Sequence, residues 1–165
     1  MERLTPVRGS EARHPREVAA VPYQAVLFDM DGVVTRTAAV HAAAWKALFD
    51  YVLQDPRLEG HPRRDPFDID ADYRLYVDGR QREDGVVAFL ASRGAEVPTG
   101  RPDDGPDVWS VHGLAARKNA LFLAAAERQG VGSYPGTVAM LARLHAAGIP
   151  VGLVTASRNA RALLA

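Results

Sequence analysis

Apolar residues fall in two patterns along this chain. Two short runs, Ala25-Val26-Leu27-Phe28 and Ile149-Pro150-Val151-Gly152-Leu153-Val154, suit strands buried on both faces of a parallel sheet, with Pro150 tolerated at the start of the second. Between them the period becomes helical. Val40, Ala43, Ala44, Ala47, Leu48, Tyr51 and Val52 mark one face of a helix that follows Thr37 and stops at Asp55-Pro56. A short helix is predicted over Asp70 to Val77, broken by Gly79. Another begins near Arg82-Glu83, buries Val86, Phe89 and Leu90, and stops at Gly94. A longer helix runs from about Leu114 to Gln129 with Leu114, Leu121, Phe122 and Ala125 on its apolar face. Ser133-Tyr134-Pro135-Gly136 opens a further helix, with Pro in its first turn. Val138, Leu141, Leu144 and His145 give its pattern and Gly148 closes it. Residues 56–68 and 94–110 are turn-rich loops. About 120 residues part the two strands, where a minimal parallel crossover needs roughly a dozen. The pattern therefore predicts an α/β protein: a parallel-sheet core with a helical cap inserted between its strands, roughly Thr37 to Gly132.

The first strand runs into Asp29-Met30-Asp31-Gly32. Two carboxylates at the carboxyl end of a buried strand stand where open α/β sheets place their chemistry. Like charges this close repel, and a bound Mg²⁺ with its preference for hard oxygen ligands would relieve that. Asp29 is placed to act as a nucleophile and Asp31 to move a proton. The plainer alternative is a glycine turn with a helix cap beyond it. The second strand delivers Thr155-Ala156-Ser157-Arg158-Asn159 at its end, where a new helix starts. Free backbone N–H groups there make a phosphate site, and Ser157 can serve as an ordinary N-cap at the same time.

In the predicted cap, His41 and Trp45 lie one turn apart beside the buried face. Lys118 falls four residues after Leu114 and three before Leu121, on an apolar face. It must reach an anion or snorkel to water. Asp68, Asp70 and Asp72 alternate, but the sixth and twelfth positions from Asp68 hold Tyr73 and Gly79, where a calcium loop needs Gly and Glu. These acids are read as helix caps.

FDMDGVVT resembles the first motif of the haloacid dehalogenase (HAD) superfamily, and TRTAAVHAAAWKALF resembles its β-phosphoglucomutase branch. VDGRQREDGV is similar to that branch's cap specificity loop, Arg117-Lys118-Asn119 to its cap R-K-N, and TASRN to the second HAD motif. The resemblance runs from about Tyr23 to the last residue. It implies a HAD-like Rossmannoid core, incomplete here, and a Mg²⁺-dependent phosphoryl transfer between β-glucose 1-phosphate and glucose 6-phosphate through an aspartyl-phosphate. Asp29 would be the nucleophile and Asp31 the general acid/base, with the metal held by Asp29 and by the Asp31 carbonyl. Thr155, Ala156, Ser157, Arg158 and Asn159 would grip phosphate, and His41, Gly79, Arg82 and Lys118 would face the substrate. The plainer alternative for Arg82 is an exposed arginine at a helix start, set aside because its flanking residues also match the branch, and His41 can equally be a surface histidine. A HAD sugar-phosphate phosphatase shares both motifs and is the alternative. Arg36 departs from the T-D-T of many relatives and could pair with phosphate or point to solvent.

The resemblance divides the chain into a tail at 1–21, the first strand and catalytic loop at 22–36, a cap at 37–132, and a core helix, second strand and start of the next helix at 133–165. No lysine motif or acidic pair of the later strands can be placed before Ala165. The chain is thus expected to be an N-terminal portion with little activity alone, or a non-catalytic remnant, of an enzyme that is monomeric when complete. Lys+Arg and Asp+Glu are both 20, which gives no reason to expect a nucleic-acid partner. Cysteine is absent, excluding disulfides. No apolar run is long enough for a bilayer and the N-terminus lacks a signal-peptide core, so a cytoplasmic protein acting on a phosphorylated sugar, with no membrane partner, is expected.

Overall fold

The computed structural model describes residues 23–60 and 64–164. The tail expected over 1–21 lies outside the described residues. Strand β1 (Val26–Asp29) pairs in parallel with β2 (Val151–Val154), Val26 opposite Val151 and Asp29 opposite Val154. The pairing runs on past the strands: the Met30 N–H donates to the Val154 carbonyl at 3.1 Å. Both strand ends therefore finish level, and the residues after them emerge side by side.

The two runs do form strands, but burial on both faces does not follow. Leu27 is 70 % exposed, and every residue of β2 is exposed or half-buried. Helix α4 (Pro135–Ala146) packs on β2, and the rest of the sheet has no comparable helical cover among the described residues. The face expected on α4 is likewise open. Leu141 and Leu144 are half-buried, while Val138 and His145 are exposed.

The buried core sits among the helices. Helix α1 (Ala38–Leu53) packs on α3 (Val111–Gln129), which packs on α2 (Arg82–Ser92). Val40, Ala44, Leu48 and Val52 of α1 are buried as expected. The stripe, however, is turned away from Ala43, Ala47 and Tyr51 towards Trp45, Phe49 and Leu53. Aromatic rings bury far more apolar area than alanine methyls, so they decide which way the helix rolls. Phe49 stacks between Trp45 and Phe89, at centroid distances of 5.1 and 4.0 Å, and Phe67 closes the cluster. Helix α3 starts one turn before Leu114, because the Ser110 hydroxyl accepts the Gly113 N–H and caps it.

The helix expected over 70–77 is wound as a π turn across Tyr73–Val77, closed by an Asp78 N–H donating to the Tyr73 carbonyl at 2.9 Å. Asp68 caps its approach by accepting the Asp70 and Ala71 N–H groups. Asp72 instead forms a buried pair with Arg93 at 2.6 Å, tying this turn to the end of α2. The chain then turns at Gly79, whose φ of +67° favours glycine, and enters α2. Gly94 ends α2 as expected: the Ala95 N–H reaches back to the Leu90 carbonyl and the Gly94 N–H to that of Ala91.

Phe89 is fully buried at the meeting point of Phe49, Phe67 and Tyr76. Phe89→Ala is expected to lower unfolding stability by about 3–5 kcal/mol. Urea denaturation would show this as a lower midpoint at unchanged slope.

Candidate active site

A cleft of about 570 Å³ opens between the strand ends and the helices. Asp29, Asp31, His41, Gly79, Arg82, Lys118, Ala156, Ser157, Arg158 and Asn159 all line it. Thr155 is not on the lining but reaches the same place through Asp31. The structure thus gathers the residues expected to be catalytic, phosphate-binding or substrate-facing around one cavity, together with Trp45, Tyr73, Asp78, Arg80, Gln81 and Asn119.

Asp29 ends β1 with its carboxylate exposed to the cleft. Its Oδ1 accepts the N–H of Met30 at 2.8 Å, and among the described residues no hydrogen bond ties down Oδ2. Gly32, at φ +82°, turns the chain back. The Val34 and Thr35 N–H groups then return to the Met30 carbonyl, and the Arg36 N–H reaches the Gly132 carbonyl. This tight loop sets Thr37 below Asp31. Thr37 occupies the cap position of α1, yet its hydroxyl donates to Asp31 Oδ1 at 2.5 Å instead of capping the helix. Thr155 donates to Asp31 Oδ2 at 3.1 Å, across the paired strand ends.

His41 lies deeper than the cleft entrance. Its ring stacks on Phe122 at 4.0 Å, Nδ1 is 2.7 Å from Lys118 Nζ, and Nε2 is 3.5 Å from Asp31 Oδ1. The Nε2 contact is too poorly aligned to count as a hydrogen bond, so it is a close charge contact only. While Lys118 is an ammonium it can only donate. His41 Nδ1 must then accept, which leaves the imidazole proton on Nε2, facing Asp31. Partial burial alone would raise the Asp31 pKa. His41, Thr37 and Thr155 oppose this, and the net effect holds the carboxyl below its ordinary value. Burial pulls His41 down, towards the neutral ring, despite the opposing pull of Asp31.

Lys118 does not snorkel. It is 2 % exposed, with its ammonium 5.0 Å from the Trp45 ring centroid and 5.1 Å from that of Phe122. Burial first, and then the Arg82 charge, pull its pKa down to about 7 against the pull of Asp31. Arg82 is itself half-buried at the start of α2. Its pKa is lowered by burial, with Glu83 and Arg158 acting in opposite directions.

Two contacts cross the cleft mouth. Asn159 Nδ2 donates to Asn119 Oδ1 at 2.7 Å, and Arg158 lies 3.8 Å from Glu83. Ser157 Oγ accepts the Asn159 N–H at 3.3 Å in a turn just ahead of α5 (Ala160–Leu164), so it shapes the approach to that helix and Asn159, not Ser157, holds the flanking position. Arg36 is exposed, its guanidinium 5.6 Å from the Tyr134 ring centroid, and is not on the cleft lining.

Asp29 and Asp31 fit Mg²⁺ as part of a site. Asp29 lines the cleft with Oδ2 unbonded among the described residues, and with both Asp31 side-chain oxygens engaged by threonines, the Asp31 carbonyl is the donor it has left to offer. Among the described residues no cluster of three or more His, Cys, Asp or Glu is arranged around a metal. Mg²⁺ commonly takes one or two carboxylates and completes its shell with water and substrate phosphate, and the pair suits that habit.

Sequence reasoning passed over Tyr73, Asp78 and Thr37. The T-R-T spacing held the signal for Thr37. Asp78 lies in VDGRQREDGV, the stretch likened to a specificity loop, but was not singled out within it; for Tyr73 there was no signal, because a π turn displaces side chains from their α-helical positions.

The fold and motifs are matched by known proteins. Two β-phosphoglucomutases align over 142 residues, 86 % of this chain and 54 % of each relative: that of Mycobacterium bovis at 44 % identity and that of Bacillus subtilis at 30 %. The chain therefore spans about half the length of these relatives. A solved β-phosphoglucomutase from Clostridium difficile superposes with a TM-score of 0.60 at 24 % identity, covering 86 % of this chain and 55 % of that one, a likeness of fold. Among the described residues no helix is long and apolar enough to cross a membrane. The haloacid dehalogenase-like hydrolase family model matches residues 23–165, nearly the whole chain, and the protein belongs to that family.

Proposed function

We propose that the full-length protein is a β-phosphoglucomutase-type phosphotransferase interconverting β-glucose 1-phosphate and glucose 6-phosphate through an enzyme-bound aspartyl-phosphate. One observation carries the reading. Asp29 and Asp31 at the end of β1 line a single cleft together with Arg82 and Lys118 from the helices. A hexose carrying phosphate at both ends needs this distribution: one end at a nucleophile, the other against cations. The name of the 44 %-identical mycobacterial relative supports the same choice.

In this mechanism the free 6-hydroxyl of β-glucose 1-phosphate gives its proton to the Asp31 carboxylate and attacks the phosphorus of the Asp29 aspartyl-phosphate, which forms the hexose bisphosphate and frees the Asp29 carboxylate. In the second half an Asp29 oxygen attacks the phosphorus on C1 and the C1 oxygen departs with the proton from Asp31, leaving glucose 6-phosphate and the aspartyl-phosphate restored. The donors around Asp31 favour its carboxylate form, the form that accepts the proton of an attacking hydroxyl. Asp29 and the Asp31 carbonyl would hold Mg²⁺, which when bound neutralises charge on the carboxylate pair and the phosphoryl group. Backbone and side chains of Thr155 to Asn159 hold the transferring phosphoryl, while Arg82 and Lys118 hold the far end of the substrate from the cap, residues 37–132. Catalysis is chiefly positioning and charge stabilisation.

Hydrolysis of a sugar phosphate is the second reading, favoured by the exposure of Asp29 to solvent. Comparing phosphate release with glucose 6-phosphate formation in the full-length enzyme separates the two. The mutase reading requires the isomer to dominate. Asp29→Asn is expected to lower kcat by at least ~10³-fold, since the nucleophile is lost. Wild-type rates in that variant would overturn either reading.

Lys118 adds a pH signature. Its pKa is depressed to about 7, so near pH 8 it is largely neutral in the empty cleft. A phosphate beside it favours the charged form and pulls a proton on. Affinity for glucose phosphates is therefore expected to fall as pH rises above 7. Binding near pH 8 should take up a proton, measurable by titration calorimetry in buffers of different ionisation enthalpy. Lys118→Met should abolish the uptake.

A further inference from the structure

We propose that Tyr73 and Asp78 form a subsite for the ring hydroxyls of the bound sugar, a donor and an acceptor set together by the π turn. The inference rests on the sugar-phosphate reading of the cleft and adds to it the part that recognises the neutral portion of the substrate.

Both residues line the cleft. They are the first residue of the π turn and the residue that closes it, joined by the 2.9 Å bond from the Asp78 N–H to the Tyr73 carbonyl. That single wide turn thus contributes a phenol and a carboxylate, five positions apart, to the cleft lining. The turn is held from behind. Asp72 is paired with Arg93 at 2.6 Å, and the Arg93 guanidinium lies 4.5 Å from the Phe89 ring centroid in the core. Subsites work when their groups are fixed in this manner by a supporting layer.

The chemistry favours hydroxyls over phosphate. The Tyr73 ring is packed against the aromatic cluster, and among the described residues its hydroxyl makes no hydrogen bond to protein. Burial, and then the charges of Asp78 and Asp31, push its pKa up to about 12, so it remains a neutral donor throughout the physiological range. Those two carboxylates also make this part of the cleft electronegative. A phosphate dianion is repelled from it and drawn to Lys118, Arg82 and Arg158. A sugar hydroxyl is suited to it, accepting from Tyr73 Oη and donating to Asp78. Carboxylates bound to neutral hydroxyls lose little when the hydroxyl is present and leave an unmatched charge when it is not, which is how polar sites discriminate.

The test is titration calorimetry of the full-length protein carrying Asp29→Asn, so that β-glucose 1-phosphate is bound but not turned over, with that ligand and, separately, inorganic phosphate. Tyr73→Phe removes one oxygen and keeps the packed ring. It is expected to weaken glucose phosphate binding roughly three- to tenfold, the worth of one hydrogen bond between neutral groups, and to leave inorganic phosphate unchanged. Asp78→Asn, on an exposed side chain, should act in the same direction. Unchanged glucose phosphate affinity in both variants would overturn the proposal. So would an equal loss for both ligands, or an Asp29→Asn protein with neither further change that binds them equally. Because binding is read without turnover, an inactive Asp29 chemistry is distinguished from a missing hydroxyl subsite.

Discussion

Parallel pairing of β1 with β2 in one register is the constraint on which the cleft depends. The two strands are far apart in the chain, yet Asp29 lies opposite Val154 and the bond from Met30 to Val154 carries the pairing one residue further. Only in that register does Thr155 meet Asp31 while Thr37 meets it from the other side. A slip of one residue would turn every side chain to the opposite face of the sheet and separate the two motifs. The geometry of the acid pair is thus set by backbone hydrogen bonds, and the side chains inherit it.

The helices contribute charge under conditions that water would not permit. Lys118 is surrounded by Trp45, Phe122 and His41, and those neighbours strip its solvent and destabilise its charge. A group kept in that condition gains more from an arriving anion than an exposed lysine would, because the anion replaces solvation already lost. His41 lies between this lysine and Asp31, with Nδ1 2.7 Å from Lys118 Nζ and Nε2 3.5 Å from Asp31 Oδ1.

Much of this was legible in the sequence because it rests on short-range rules. A four-residue apolar run followed by D-x-D-G placed the strand and its acids. Helix arithmetic put Lys118 on an apolar face, and glycine placed the ends of α2, α3 and α4. What failed has physical reasons too. The roll of α1 depends on the size of Trp45 and Phe49 and not on the count of apolar positions, so alanine spacing misled. Exposure of Leu27 depends on which elements lie over a strand, and composition does not carry that. The domain boundaries drawn at residues 37 and 133 remain a proposal. Tyr73 was hidden because a turn wider than the one the periodicity assumes carries it to the cleft.

The two bridges over the cleft mouth differ in kind. Asn119 to Asn159 is a contact between neutral amides, indifferent to ionic strength and to pH, and partly shielded from water. Glu83 to Arg158 joins two full charges, and the arginine is largely in solvent, where dissolved salt weakens the attraction. Dissolved salt can therefore loosen the contact between Glu83 and Arg158 and leave that between Asn119 and Asn159 in place.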